Sequence, residues 1–158
     1  MIQKLVLILV FAFVFGASGF TALAQGGITI NGEVGKGSVQ KGKSTVVSVI
    51  LDIPDGLHIN SNRPSKAGLI ATRVKVTAPG LTVGAISYPR GINKKFSFAD
   101  ESLSVYEGRT AIRFNVTVPP NFKGSVAKIR AVVNYQSCTD EVCYRPRTDE
   151  LTLSAAIK

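Results

Sequence analysis

From Ile28 onward the chain alternates apolar and polar residues with a period of two, the mark of strands that bury one face. Ile28-Thr29-Ile30 opens a first strand, and residues 44–53 (STVVSVILDI) form a long β-branched run that predicts a second. Pro54-Asp55-Gly56 supplies turn residues, with 57–60 a short strand behind it and 60–66 a loop. Residues 71–77 set Val74 and Val76 against Arg73, Lys75 and Thr77. Pro79-Gly80 turns the chain into a strand over 81–88, and Pro89-Arg90-Gly91 breaks it again. The stretch 92–101, with Lys94, Lys95, Phe96 and Phe98, is the least regular. Residues 103–106 read as an edge strand, joined by a Glu107-Gly108 hairpin turn to 109–118, where Ile112, Phe114, Val116 and Val118 share a face. A strand over 125–136, a loop or tight hairpin over 138–146 and a last strand over 151–157 complete the pattern. No segment sustains a helical period. Eight or nine short strands with turns between them predict an all-β sandwich, with a barrel as the architectural alternative.

The N-terminus departs from this pattern. Lys4 precedes an unbroken apolar run over 5–15 (LVLILVFAFVF), and small residues lead to Ala22-Leu23-Ala24. This predicts a secretory signal peptide over 1–24, cleaved after Ala24. The apolar run is too short for a retained span, which needs about 20 residues. One domain then fills 25–158, long enough to bury a core without metals. The whole chain carries +9, falling to +8 once Lys4 leaves with the leader. Its basic residues are scattered along strand faces, which fits solubility and attraction to acidic partners rather than nucleic-acid binding. With two Cys and one distant His, the chain lacks the spaced ligand pairs of a metal site, and no cofactor motif is present. The glycines of 32–42 lie between strands rather than before a helix, which argues against a phosphate loop.

Two cysteines in an exported chain predict a disulfide in an oxidising compartment. Cys138 and Cys143 are spaced C-x4-C, so their bond closes a short loop. In the chain-entropy picture that is worth about 2 kcal/mol, against about 4.7 for a loop of 100 residues. A local pair is a weak staple but suits exchange, because the two sulfurs stay close whether bonded or not. A loop-closing structural disulfide is the plainer reading of the spacing alone. Asp140 and Glu141 oppose a thiolate here, whereas Arg145 and Arg147 favour one.

The stretch NYQSCTDEVCYRP over 134–146 resembles the N-terminal periplasmic domain of the DsbD thiol:disulfide interchange proteins. The matching positions are Tyr135, Gln136, Cys138, Cys143 and Pro146, with Tyr144 beside them. Upstream, Asp55-Gly56-Leu57-His58-Ile59-Asn60, Tyr88-Pro89 and Val105-Tyr106-Glu107-Gly108 match in order. The resemblance implies an immunoglobulin-like sandwich and a periplasmic, or otherwise exported, redox relay. Electrons would come from a thioredoxin-like or membrane-embedded thiol donor. They would pass to periplasmic disulfide-bearing acceptors such as disulfide isomerases or cytochrome c maturation factors. It implies that Cys143 forms the mixed disulfide, that Cys138 resolves it, and that a Phe on a cap loop covers the pair. By order along the chain that Phe is Phe98, with Phe96 second. His58 and Asn60 stand where the family often has Tyr. A lone His in a strand reads first as a surface residue; beside the pair it would tune or shuttle a proton near neutral pH. The best-known relatives continue into a membrane domain and a thioredoxin-like domain, so a chain ending at Lys158 is expected to borrow its donor from another protein or to do something narrower.

The competing expectation is a non-catalytic immunoglobulin-like binding or assembly domain with a structural disulfide. A weaker one is glycan or anionic-surface binding, which the absence of Trp argues against.

Overall fold

The computed structural model describes residues 27–158, so the expected leader and the Ala24 cleavage point lie outside the described residues. The described chain is all β, with twelve strands: β1 Thr29–Val34, β2 Ser38–Val39, β3 Ser44–Asp52, β4 His58–Asn60, β5 Arg73–Thr77, β6 Thr82–Val83, β7 Ile92–Lys94, β8 Leu103–Tyr106, β9 Arg109–Thr117, β10 Val126–Tyr135, β11 Ser137–Cys138 and β12 Arg147–Ile157. They form three four-stranded sheets, ordered β1-β3-β9-β6, β2-β12-β10-β5 and β11-β4-β8-β7. All strand pairs are antiparallel except β2 with β12.

The first two sheets bury their apolar faces against each other and make the immunoglobulin-like sandwich. Val47, Val49 and Leu51 of β3 meet Ile112, Phe114 and Val116 of β9 and Ile129, Ala131 and Val133 of β10 in one core. The period-two pattern is what makes this possible, since it sends every second side chain to the same side. Gly32 of β1 has little space for a side chain. A Cβ there would lie 2.7 Å from Leu151 Cδ2, 2.9 Å from Leu153 Cδ1 and 3.0 Å from the Ser48 backbone oxygen. The leucine ends can shift; the strand backbone cannot. Gly32→Val is therefore expected to cost about 1–3 kcal/mol, as overpacked core sites do, read as a lower urea midpoint with unchanged slope.

The third sheet grows from one end of the sandwich. β3 passes through the Pro54–Gly56 turn, closed by the Leu57 amide on Pro54 O at 3.1 Å, and re-emerges as β4. β10 crosses a single residue, Gln136, into β11, and β8 crosses Glu107 and Gly108 into β9. Both sandwich sheets thus feed the same small sheet.

Three local expectations change here. Residues 103–106 are not an edge strand, because β8 lies between β4 and β7. Glu107-Gly108 is not a hairpin turn: β8 and β9 belong to different sheets, and Gly108, at φ 59°, redirects the chain between them. The strand expected over 81–88 stops at Val83. Beyond it the backbone bonds to β9 through the Gly84 amide on Asn115 O at 2.8 Å and a bridge between Ser87 and Arg113. Gly84 and Ala85 supply too little side chain to hold a continuous ladder.

Candidate functional site

The hairpin that follows β10 is built from local hydrogen bonds. Cys138 forms an antiparallel bridge with Cys143. Their sulfurs are bonded at 2.04 Å, with Cα atoms 4.0 Å apart. Thr139 shapes the turn. Its amide donates to Val142 O at 2.8 Å, and its Oγ1 accepts from the Glu141 and Val142 amides at 3.2 and 3.0 Å, a hydroxyl turn of ordinary kind. Outside the pair, the Tyr144 amide donates to Ser137 O at 2.9 Å, and Gln136 Nε2 donates to Tyr144 O at 2.9 Å. None of these bonds uses sulfur, so they support the hairpin with or without the disulfide.

The two sulfurs sit in different surroundings. Cys138, on β11 inside the sheet, is 1% exposed, whereas Cys143, on the return arm, is exposed. Of the two, Cys143 is therefore the more accessible to a visiting thiolate.

His58 is the residue directly opposite Cys138 in the β4–β11 pairing. Directly opposed residues project from the same face, with Cβ atoms about 4.5–5.5 Å apart. The surface reading of His58 is overturned: it is 1% exposed, because β4 is an interior strand flanked by β11 and β8. Its ring stacks on Phe96 at 4.2 Å between centroids, and Phe96 stacks on Phe98 at 5.3 Å. Exposure climbs along this stack, to 3% at Phe96 and 49% at Phe98. Phe96 also packs with Leu103 and Val105 in a small cluster separate from the sandwich core. The inner ring of the stack is thus Phe96, and Phe98 lies one ring further out.

Lys94, which the sequence did not single out, ties this stretch to the cysteine hairpin. Its Nζ lies 2.6 Å from Glu107 Oε1, 3.7 Å from Asp140 Oδ1 and 5.3 Å from the Phe96 ring centroid. The Glu107 hydrogen bond, chiefly, raises the Lys94 pKa. Asp140 sits between the two cysteines, so its charge is met by Lys94. Arg147, expected to favour a thiolate, instead approaches Asp149 on its own strand at 3.8 Å. Only the irregular, basic character of 92–101 hinted at this link.

His58 carries one further feature. Its Nδ1 is buried and has no hydrogen-bond partner. Burial lowers the imidazole pKa below its ordinary 6.5, with Lys94 acting in the same sense and Glu107 and Asp140 opposing. The ring is therefore neutral at neutral pH.

The remaining expected residues are more peripheral. Asn60, also buried, donates from Nδ2 to Ile70 O at 3.1 Å and accepts the Thr72 hydroxyl on its carbonyl at 2.6 Å, which fixes the loop after β4. Tyr135 belongs to the sandwich core. Its hydroxyl donates to Asp149 Oδ2 at 2.6 Å, and its pKa is pushed up to about 12, first by burial and then by that bond. Gln136 and Tyr144 act through the hairpin bond already described. Among the described residues, no three or more His, Cys, Asp or Glu gather where they could hold a metal ion, and no helix is long and apolar enough to cross a membrane.

The profile of the family described as "Thiol:disulfide interchange protein DsbD, N-terminal" matches residues 31–155. Similar solved structures include the Neisseria meningitidis DsbD N-terminal domain in the reduced form, at 18% identity and TM-score 0.49, with 80% of this chain and 88% of that one covered. Another is the N-terminal periplasmic domain of ScsB from Proteus mirabilis, at 9% identity and TM-score 0.48, with 80% and 44% covered. No curated protein matches the chain. With most of its length matched by that profile, and a disulfide joining the two cysteines of the hairpin, the chain belongs to the family of the N-terminal domain of the thiol:disulfide interchange protein DsbD.

Proposed function

We propose that this domain relays reducing equivalents in the periplasm through Cys138 and Cys143. A thioredoxin-like or membrane-embedded thiol protein serves as donor, and a disulfide-bearing periplasmic protein as acceptor. The supporting observation is the asymmetry of the pair: one exposed cysteine bonded to one buried cysteine, in a chain of the interchange family. In the reducing half-reaction, a donor thiolate attacks Cys143 Sγ and Cys138 leaves as the thiolate. A second donor thiol then releases the donor as its own disulfide. In the delivering half-reaction, the Cys143 thiolate attacks the acceptor disulfide, one acceptor sulfur departs, and Cys138 closes on Cys143 to free the second. Phe96 and Phe98 serve as the cap, with Phe96 closing over the buried end. Phe98 and Val142, both exposed apolar side chains, offer contact to a docking partner.

Relay use and structural use of the bond differ in what reduction does. A relay must fold in both states. Because this loop is short, reduction is expected to cost only about 2 kcal/mol, so both forms show one cooperative thermal transition. The oxidised domain is expected to be reduced by a thioredoxin-like protein much faster than by glutathione at equal thiol concentration. A binding domain with a structural disulfide gives the opposite result: a bond resistant to every protein dithiol, and a reduced form that loses its fold.

A further inference from the structure

The orphaned Nδ1 of His58 needs an explanation. A buried polar nitrogen without a partner costs roughly 1–3 kcal/mol, and folded chains seldom leave one. The residue paired with His58 across the ladder is Cys138, and in this structure its sulfur is in a disulfide. A disulfide sulfur has no hydrogen to donate. A reduced Cys138 has one. A reduced Cys138 thiol thus offers the residue paired with it a donor that the disulfide form lacks.

Cys138 also needs a base. When Cys143 carries a partner in mixed disulfide, Cys138 must attack as the thiolate, because the thiol is not the nucleophile. At 1% exposure its proton has no direct path to water, and burial raises a thiol's pKa. We infer that His58 Nδ1 takes the proton of the Cys138 thiol in the resolving step, making His58 the base of the exchange reaction; this rests on the relay function proposed above. The balance is simple. The Cys138 S–H proton moves to Nδ1, the Cys138–Cys143 bond forms as the bond from Cys143 to the partner breaks, and the departing partner thiolate is protonated as the imidazolium gives up its proton. No external oxidant is required, since the mixed disulfide carries the oxidising equivalents.

The surroundings suit the task. Lys94 from β7, Glu107 after β8 and Asp140 from the hairpin are the charged groups facing His58, and Lys94 bridges the two carboxylates. Phe96 covers the ring and holds its plane. Burial, opposing protonation first, keeps the imidazole in the neutral form that can accept.

The test uses the reduced domain and 5,5′-dithiobis(2-nitrobenzoate), an aromatic disulfide whose thiolate is coloured. Cys143 attack releases a first equivalent, and Cys138 resolution releases a second. In wild type the second release should slow as pH falls through the imidazole titration, below 6.5. His58→Gln keeps an acceptor but cannot take a proton. Its second release should be about a hundredfold slower relative to the first, the low end for a lost general base, and should lose that low-pH titration. An unchanged ratio and pH profile in His58→Gln would overturn the role of His58 while leaving the relay intact. A wild type that never gives the second release would overturn the relay itself. Because His58 is the sole histidine in the chain, its imidazole NMR signals can also be titrated in unsubstituted protein. The oxidised and reduced forms are expected to differ in tautomer signature and midpoint; coincident curves would sink the inference without any variant having to fold.

Discussion

Cys138→Ser is expected to accumulate a covalent complex with partner proteins through Cys143, whereas Cys143→Ser should trap nothing. The difference follows from exposure. In the Cys138 variant the remaining thiol is on the accessible arm of the hairpin, and once it has captured a partner no neighbouring sulfur can release it. In intact protein that neighbour acts intramolecularly, and well-oriented groups of this kind reach effective concentrations on the order of 10⁵ M or more. Its removal leaves only dilute external thiol, so the mixed disulfide should live orders of magnitude longer. In the Cys143 variant the surviving thiol is buried in the sheet and facing His58, where a folded partner cannot reach it. Non-reducing electrophoresis of periplasmic extracts, followed by identification of the attached protein, reads the result. Equal trapping in the two variants would overturn the division of roles. Neither variant should unfold, since the bond they remove contributes only about 2 kcal/mol.

The strands were legible because their signal is local. Period-two alternation in 44–53, 109–118 and 125–136 reports burial of one face, and β3, β9 and β10 fall within those stretches. What alternation cannot report is which strand lies beside which. Residues 103–106 have the short, mixed pattern of an edge, yet β8 is interior because β7, from the irregular stretch before it, adds alongside. Glu107-Gly108 has turn composition whether the chain folds back on itself or crosses to another sheet. The same limit governs the site. The cysteine pair could be read directly, being close in sequence. The placing of His58 against Cys138 depends on β4 pairing with β11, a long-range contact that no local pattern encodes. A lone His in a strand therefore read as a surface residue, although three long-range features bury it: β8 on one side, β11 on the other and Phe96 above. Lys94 and Asp140 were visible as charges in separate segments and acquire meaning only from their 3.7 Å approach.

The inner ring of the proposed cap should control access to the pair, and Phe96→Ala against Phe98→Ala should show it. Phe96 is buried on His58 and packed with Leu103 and Val105. Full burial of a Phe side chain stabilises by about 1.5–3 kcal/mol. If that energy holds the 92–98 segment closed, its loss raises the opened population about tenfold to a hundredfold, at 1.4 kcal/mol per decade. Reduction by glutathione or dithiothreitol, which are small enough to enter an opened cap, should accelerate by that factor. Phe98 is half exposed and stacks only on the outer side of Phe96. Its truncation should change stability by less than about 1 kcal/mol, as surface substitutions do, and should scarcely alter reduction by small thiols. It should instead slow reduction by a protein donor that docks on the exposed ring. Phe96→Ala has a second cost, since Phe-to-Ala changes in cores run to about 3–5 kcal/mol; the rates are therefore compared well below each variant's melting temperature. If Phe96→Ala, folded by near-ultraviolet circular dichroism, left the small-thiol rate unchanged, the ring would be packing alone, and access to the disulfide would be governed by the exposure of Cys143 itself.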